Sequence, residues 1–284
     1  MAHVAVVTDS ASDIPSDTAT AAGVTVVPLI VNFGEESFRT GTEISTDEFY
    51  RRLKAPNAPF PTTAAAAPGV FQQTFRQVLD GGADGVVCIT VGGSLSATLQ
   101  SAHVAAGMIG GGRVRTVDSQ TASMSQGLLV LLAAELAAQG ASVDEIVAAV
   151  ERRIPDSRLY VVLETLEYLK RGGRISGTRA ALGTMLSVKP IITIEEGIVE
   201  SVDRVRTRAK ARERLLELLT QRPVERAAVL HAMSPDIEQF ADELAGRARL
   251  DRSAVSINVI GPSVAPHVGP GAYGAVVLTM PTGG

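Results

Sequence analysis

Apolar runs of strand length alternate with helix-length segments through the first half of the chain. This alternation restricts the fold more than any other feature. Short Val-rich runs lie at residues 4–7, 24–31, 86–91 and 114–117. Residues 71–79, 96–107 and 122–138 carry helical spacing, and a further helix starts near Pro15. Gly81-Gly82 ends the first of these. Ser142-Val143-Asp144-Glu145 has the Ser-x-x-Glu form that caps a helix start. Strands joined through helices pair in parallel, and a parallel sheet needs helices on both faces.

The pattern changes near Pro155. Residues 190–194 and 198–205 read as a hairpin around Glu196-Gly197. Residues 159–163, 227–231, 255–260 and 275–280 are further strands, and 207–219 and 235–248 are helices. A hairpin with few helices predicts a mixed sheet covered on one side. At 284 residues the chain exceeds the usual single-core size. Two domains are therefore expected, 1–155 and 156–284.

Composition narrows the function. A net charge of −4 gives no electrostatic case for nucleic acid or an anionic membrane surface. The basic cluster at residues 204–208 also lacks the interleaved aromatics of a nucleic-acid binder. Cys88 is the single cysteine, which excludes an internal disulfide or a multi-cysteine zinc site, and it reads as a small core residue of a strand. The longest apolar helix candidate, residues 127–138, is too short to span a bilayer and contains Glu135. Met1-Ala2-His3 leads directly into a strand, so a cytoplasmic location is expected.

Three loops follow strands in the first half, at residues 8–13, 92–96 and 118–123. In an open parallel sheet such loops gather at the carboxyl edge, where ligands bind. The loop Gly92-Gly93-Ser94-Leu95-Ser96 enters a helix whose free N–H groups and dipole favour an anion. Its glycines are expected to supply unusual backbone angles. Ser94 and Ser96 add hydroxyl donors. The same loop also reads as simple capping. His3 and His103 read as surface or packed histidines. His267 lies among prolines and glycines, and Arg204 to Arg208 form a basic run that equally fits a solvated hairpin end.

The densest stretch is residues 167–211. It holds Lys170-Arg171-Gly172-Gly173-Arg174, a small-residue helix from 177 to about 186, Lys189-Pro190 before an apolar run, and Arg204, Arg206, Arg208 and Lys210. Its order resembles the LKKGGRI…LG…KPI…DG…RVRT…KA pattern of the DegV family of bacterial fatty-acid-binding proteins. Thr8-Asp9-Ser10-Ala11-Ser12-Asp13-Ile14-Pro15 resembles the family's TDSTSDLP opening. Pro61-Thr62-Thr63 is similar to its PTTSQP loop, residues 95–102 to LSGTYQSA, Val117-Asp118-Ser119 to a V-D-S element, and residues 265–272 to AHxGxGA. These pieces occur in family order over nearly the whole chain.

The resemblance implies an α/β fold of two domains: a parallel, Rossmann-like three-layer domain carrying the carboxylate-binding loops, and a mixed-sheet two-layer domain covering an acyl tunnel. It implies a lipid carrier rather than an enzyme, with no cofactor and no metal. Its partners are a long-chain fatty acid and a separate fatty-acid kinase, which phosphorylates the bound acid for phospholipid synthesis. Matched residue by residue, the fatty-acid carboxylate falls to Thr63 and Ser96. His267 belongs with the head group, and Arg206 with kinase docking or phosphoryl transfer. The chain departs from the pattern at Ala64 to Ala67, which replace a polar segment, at an extra residue before Ser96, and at Pro266. Ser94 is therefore a further candidate for the carboxylate.

Two other classes remain. Ser96, His267 and Asp118 have the side-chain types of a serine hydrolase or acyltransferase, although the chain has no Gly-x-Ser-x-Gly elbow. The glycine-rich loops also suit a sugar-phosphate or nucleotide module.

Overall fold

The computed structural model describes residues 3–175 and 188–281. The small-residue helix expected from 177 to about 186 lies outside the described residues. The chain divides into two compact units. The first comprises residues 1–154 with Gly261–Ser263, and the second Pro155–Ile260 with 264–284.

The first unit runs β1 (Val4–Asp9), α1 (Ser16–Ala21), β2 (Val24–Val27), β3 (Ile30–Phe33), β4 (Glu36–Arg39), α2 (Thr46–Leu53), β5 (Thr62–Ala64), α3 (Pro68–Asp80), β6 (Gly85–Thr90), α4 (Thr98–Ile109), β7 (Val114–Asp118), α5 (Met124–Ala138) and α6 (Val143–Arg153). Its main sheet has the order β2-β1-β6-β7, with every pair parallel. The pair α3–α4 and the pair α5–α6 both pack on this sheet. Right-handed β2–α3–β6 and β6–α4–β7 crossovers put α3 and α4 on one face, while α5 and α6 follow β7, the last strand of this sheet. Local chemistry sets the helices. Phe71, Phe75 and Leu79 fall on one face of α3 and are buried, Pro68 occupies its first turn, and Ser142 and Glu145 complete a capping box on α6.

Two features differ from expectation. The run at residues 24–31 is two strands, because Pro28 has no N–H to donate. A second, antiparallel sheet of order β4-β3-β5 is also present.

The second unit contains β8 (Ser157–Val162), α7 (Glu167–Arg171), β9 (Lys189–Glu195), β10 (Ile198–Val205), α8 (Arg208–Leu219), β11 (Val224–His231), α9 (Ile237–Ala248), β12 (Val255–Val259), α10 (Ala265–Val268) and β13 (Tyr273–Thr279). Among the described residues they build one sheet, β10-β9-β8-β13-β11-β12, in which only β11 and β12 are parallel. The β9–β10 hairpin turns through Glu196 and Gly197, both at positive φ, as the sequence predicts. Leu215, Leu219, Phe240 and Leu244 of α8 and α9 pack with Val162, Val229, Tyr273 and Val277 of the sheet in one core. The alternate strand residues Leu230, Val276 and Leu278 are buried as well. Among the described residues no helix is long and apolar enough to cross a membrane.

Candidate functional site

The three loops at the carboxyl edge of the parallel sheet are tied together by aspartates. Asp9 ends β1. Its Oδ1 accepts the Ala11 amide at 2.9 Å, and its Oδ2 accepts the Val91 amide at 2.8 Å and the Gln126 amide nitrogen at 3.2 Å. One buried carboxylate therefore joins the first loop, the glycine loop and the first turn of α5. Burial pushes the Asp9 carboxyl up to about 6, against the pull of these hydrogen bonds. Asp118 ends β7, and its Oδ1 accepts the amides of Gly93 at 3.0 Å and Gln120 at 2.9 Å. This carboxylate holds a loop, and that occupies the residue a hydrolase would use to orient its base.

Asp13 sits in the left-handed region at φ 52. Its Oδ2 accepts from Ser123 Oγ at 2.5 Å, and its Oδ1 from the Gly261 amide at 2.9 Å. Burial pushes this carboxyl up to about 7; the two hydrogen bonds oppose the rise and the Asp9 charge adds to it. Alongside, Ser263 Oγ lies 2.9 Å from Ser10 Oγ and 3.1 Å from Thr40 Oγ1. The sequence reading missed Asp9 and Asp13 as anchors. Their signal was the Thr8-Asp9-Ser10-Ala11-Ser12-Asp13 spacing at a strand end.

The glycine loop holds its shape for a different reason than expected. Neither Gly92 nor Gly93 is at positive φ. A Cβ on Gly92 would come 3.1 Å from the Thr121 nitrogen, and one on Gly93 would come 2.9 Å from Leu99 Cδ2 and 3.1 Å from Asp118 Oδ2. These glycines admit a neighbouring loop rather than an unusual angle. Helix α4 starts at Thr98, two residues later than predicted. Ser96 is half-buried just before it, its Oγ accepting the Thr98 amide at 3.3 Å and lying 2.8 Å from Thr98 Oγ1. Ser94 is exposed in the same loop. Thr63 is half-buried on β5, opposite Val31 of β3. Thr63, Ser94 and Ser96 thus belong to the first unit.

His267 and Arg206 belong to the second. His267 is on α10, where its ring packs on Gly172. A Cβ there would lie 3.0 Å from the ring Cε1 and deep inside the contact radius of Nδ1. The contact is reciprocal along the two segments: Tyr168 of α7 packs its ring on Gly269, and Glu164 lays its Cγ on Gly271. Gly269 and Gly271 also have φ of +77 and +82. Burial pushes the His267 imidazole down to about 4, and the Arg174 charge pushes the same way. The ring is neutral at physiological pH, a hydrogen-bonding group rather than a cation. Arg174 donates to the Gly172 carbonyl at 2.7 Å, and burial holds it below the ordinary arginine range.

The basic run at 204–208 divides in two. Arg208 is drawn inward, its guanidinium 4.3 Å from the centre of the Tyr273 ring and donating to Ser234 Oγ at 2.7 Å. Arg204 and Arg206 are exposed, Arg206 directly before Thr207, whose hydroxyl caps α8 by accepting the Lys210 amide.

Comparison with known proteins agrees along the whole chain. The profile of the DegV family, described as uncharacterised proteins, matches residues 3–280. A DegV domain-containing protein of Streptomyces coelicolor is 38% identical over 283 residues, covering 97% of this chain and 98% of the relative. The structure of a fatty-acid-binding DegV family protein from Thermus thermophilus superposes with a TM-score of 0.91 at 37% identity, covering 98% of this chain and 100% of that one. DegV of Bacillus subtilis, a fatty-acid-binding protein, superposes at 0.87 with 30% identity over 99% and 100% of the two chains.

Proposed function

The chain belongs to the DegV family, and from that premise we propose that it binds a long-chain fatty acid and presents the carboxylate to a separate fatty-acid kinase. The observation that carries the first half is the end-to-end likeness to the Thermus thermophilus protein, which binds fatty acid. In this reading the first unit carries the carboxylate loops, and Thr63 and Ser96 donate their hydroxyls to the carboxylate, with Ser94 beside them. His267, neutral at physiological pH, adds a hydrogen bond without adding charge. The tail supplies most of the affinity. At about 0.8 kcal/mol per buried methylene, roughly sixteen carbons give on the order of 10 kcal/mol before ordering costs.

Arg206 is the docking or phosphate-facing residue in this reading. It is exposed, and its planar guanidinium can form two parallel hydrogen bonds with phosphate oxygens or a carboxylate. The carrier then works in the cytoplasm, supplying acyl phosphate to phospholipid synthesis.

Native mass spectrometry of the purified protein tests the binding step. A long-chain acid should be present near one per chain, and protein that is empty and also refuses added palmitate or oleate refutes the carrier. Thr63→Ala with Ser96→Ala should weaken binding roughly ten- to a hundred-fold, the loss expected for hydrogen bonds to an ionised acceptor. Arg206→Ala should retain its lipid yet lose acyl-phosphate formation, trapped as hydroxamate, when a fatty-acid kinase and ATP are supplied. An unchanged rate removes Arg206 from that role.

A further inference from the structure

We propose that Gly172 is a positioning residue for His267: the imidazole occupies the space that any side chain at 172 would fill. The backbone shows why glycine stands here. Gly172 has φ −75 and ψ −6, ordinary right-handed values that any residue adopts. Its N–H donates to the Tyr168 carbonyl at 2.8 Å, a bond that alanine would keep. Conformation therefore does not require glycine; an added Cβ would meet the Tyr168 carbonyl oxygen closely at 3.0 Å, and the nearest atoms to it, Nδ1 and Cε1, belong to the His267 ring. The next residue makes the contrast. Gly173 has φ +73 and open space around its Cβ position, so it is glycine for its angle alone.

The seat is closed from the other side. Tyr168 is one helical turn before Gly172, and its ring fills the place of the missing side chain at Gly269, two residues after His267. Each segment receives a ring from the other on a bare glycine, which fixes both the advance of α10 along α7 and the rotation of the imidazole. Arg174, held to the Gly172 carbonyl, sets the charge beside the ring; among the described residues Tyr168 and Glu164 also pack on this loop, with the Arg171 charge near Tyr168 and Lys189 paired to Glu164. The inference rests on the reading of His267 as a head-group residue, and its test separates the two.

The experiment compares Gly172→Ala, Gly173→Ala, His267→Ala and the double variant Gly172→Ala/His267→Ala. The ring of His267 is followed by pH titration with nitrogen NMR on lipid-loaded protein and assigned by its loss in His267→Ala. Gly172→Ala should displace the ring from its buried seat and raise its midpoint from about 4 toward the ordinary histidine range. It should slow acyl-phosphate formation about ten-fold or more, as a small misplacement of a working group does, while the bound lipid remains. Gly173→Ala should lower the melting temperature and leave the His267 titration where it was. In the double variant the ring is gone, so alanine at 172 should cost no further rate relative to His267→Ala, and only the small part of the melting temperature that the Tyr168 carbonyl contact accounts for.

A Gly172→Ala protein with the parent titration curve overturns the proposal, and so does a double variant that loses as much melting temperature as the single. Should Gly172→Ala fail to fold, a folded double variant supports the proposal and an unfolded one overturns it. If His267→Ala itself leaves lipid content and acyl-phosphate formation at parent levels, the head-group role of His267 falls, and the titration and melting data still decide the positioning.

Discussion

The carboxyl edge of the first unit and the His267 loop of the second are held by opposite means. At the edge, Asp9, Asp13 and Asp118 accept backbone amides and hydroxyls from separate loops, and the price is buried charge. At the His267 loop, rings rest on bare glycines, and close packing is the principal device. The first arrangement answers to charge and pH. The second answers first to volume.

The sharpest way to break this comparison is Gly269→Ala. The substitution meets the Tyr168 ring and a φ of +77 together, so it should cost about 3 kcal/mol or more. A denaturation midpoint within error of the parent would show that the loop is not held by packing. Asp9→Ala comes next. It strands the Ala11 and Val91 amides, while Gln126 keeps its bond to Thr8 Oγ1, an expected loss of about 2–3 kcal/mol at pH 7 in the same measurement.

Asp13→Asn should act in the opposite direction. The amide still accepts from Gly261 and can donate to Ser123, while the charge is gone. Because folding raises this carboxyl from 3.8 to about 7, its contribution to stability is complete below pH 4 and is lost as pH rises through 7. The asparagine variant should therefore be more stable than the parent at pH 8, on the order of 1–2 kcal/mol, and flatter between pH 4 and 7. A variant less stable than the parent at pH 8 would place the carboxylate among the favourable interactions. The smallest effect belongs to Lys189→Ala, which removes a partly exposed ion pair with Glu164 next to Gly271. It should cost about 0.5 kcal/mol or less, with little change on adding salt. A larger, salt-sensitive loss would mean that charge holds the His267 loop after all.

The elements that repeat a period over many residues were legible in the sequence. The parallel strands, α3, α8 and the β9–β10 hairpin all follow from apolar spacing and turn residues. The sheet of β3, β4 and β5 was not, because β4 is solvent-facing over most of its length and carries no period-two burial for a reader to find. The glycine loop was found but explained by angle, when close approach is the cause. The topology gathers the 118–123 loop at the same edge but does not say how closely Thr121 and Asp118 approach the two glycines. Thr63 emerged only through motif order, and His267 and Arg206 drew their roles from it, whereas Ser96 was also marked by its place in the glycine loop. Single hydroxyls and one histidine have no periodicity of their own. The Gly172–His267 contact joins two recognised motifs, yet neither motif alone says that one is the seat of the other.

Asp13 and Gly261 are separated by 248 residues along the chain. At about 5–20 residues per second of synthesis, that interval lasts on the order of 10–50 s. A nascent first unit emerging from the ribosome waits through it with the Asp13 carboxylate, Ser10 and Thr40 still meeting water instead of Gly261–Ser263. The parallel sheet and its helices can collapse early, but the polar seam beside them is sewn last. During that interval Asp13 has water in place of the Gly261 amide.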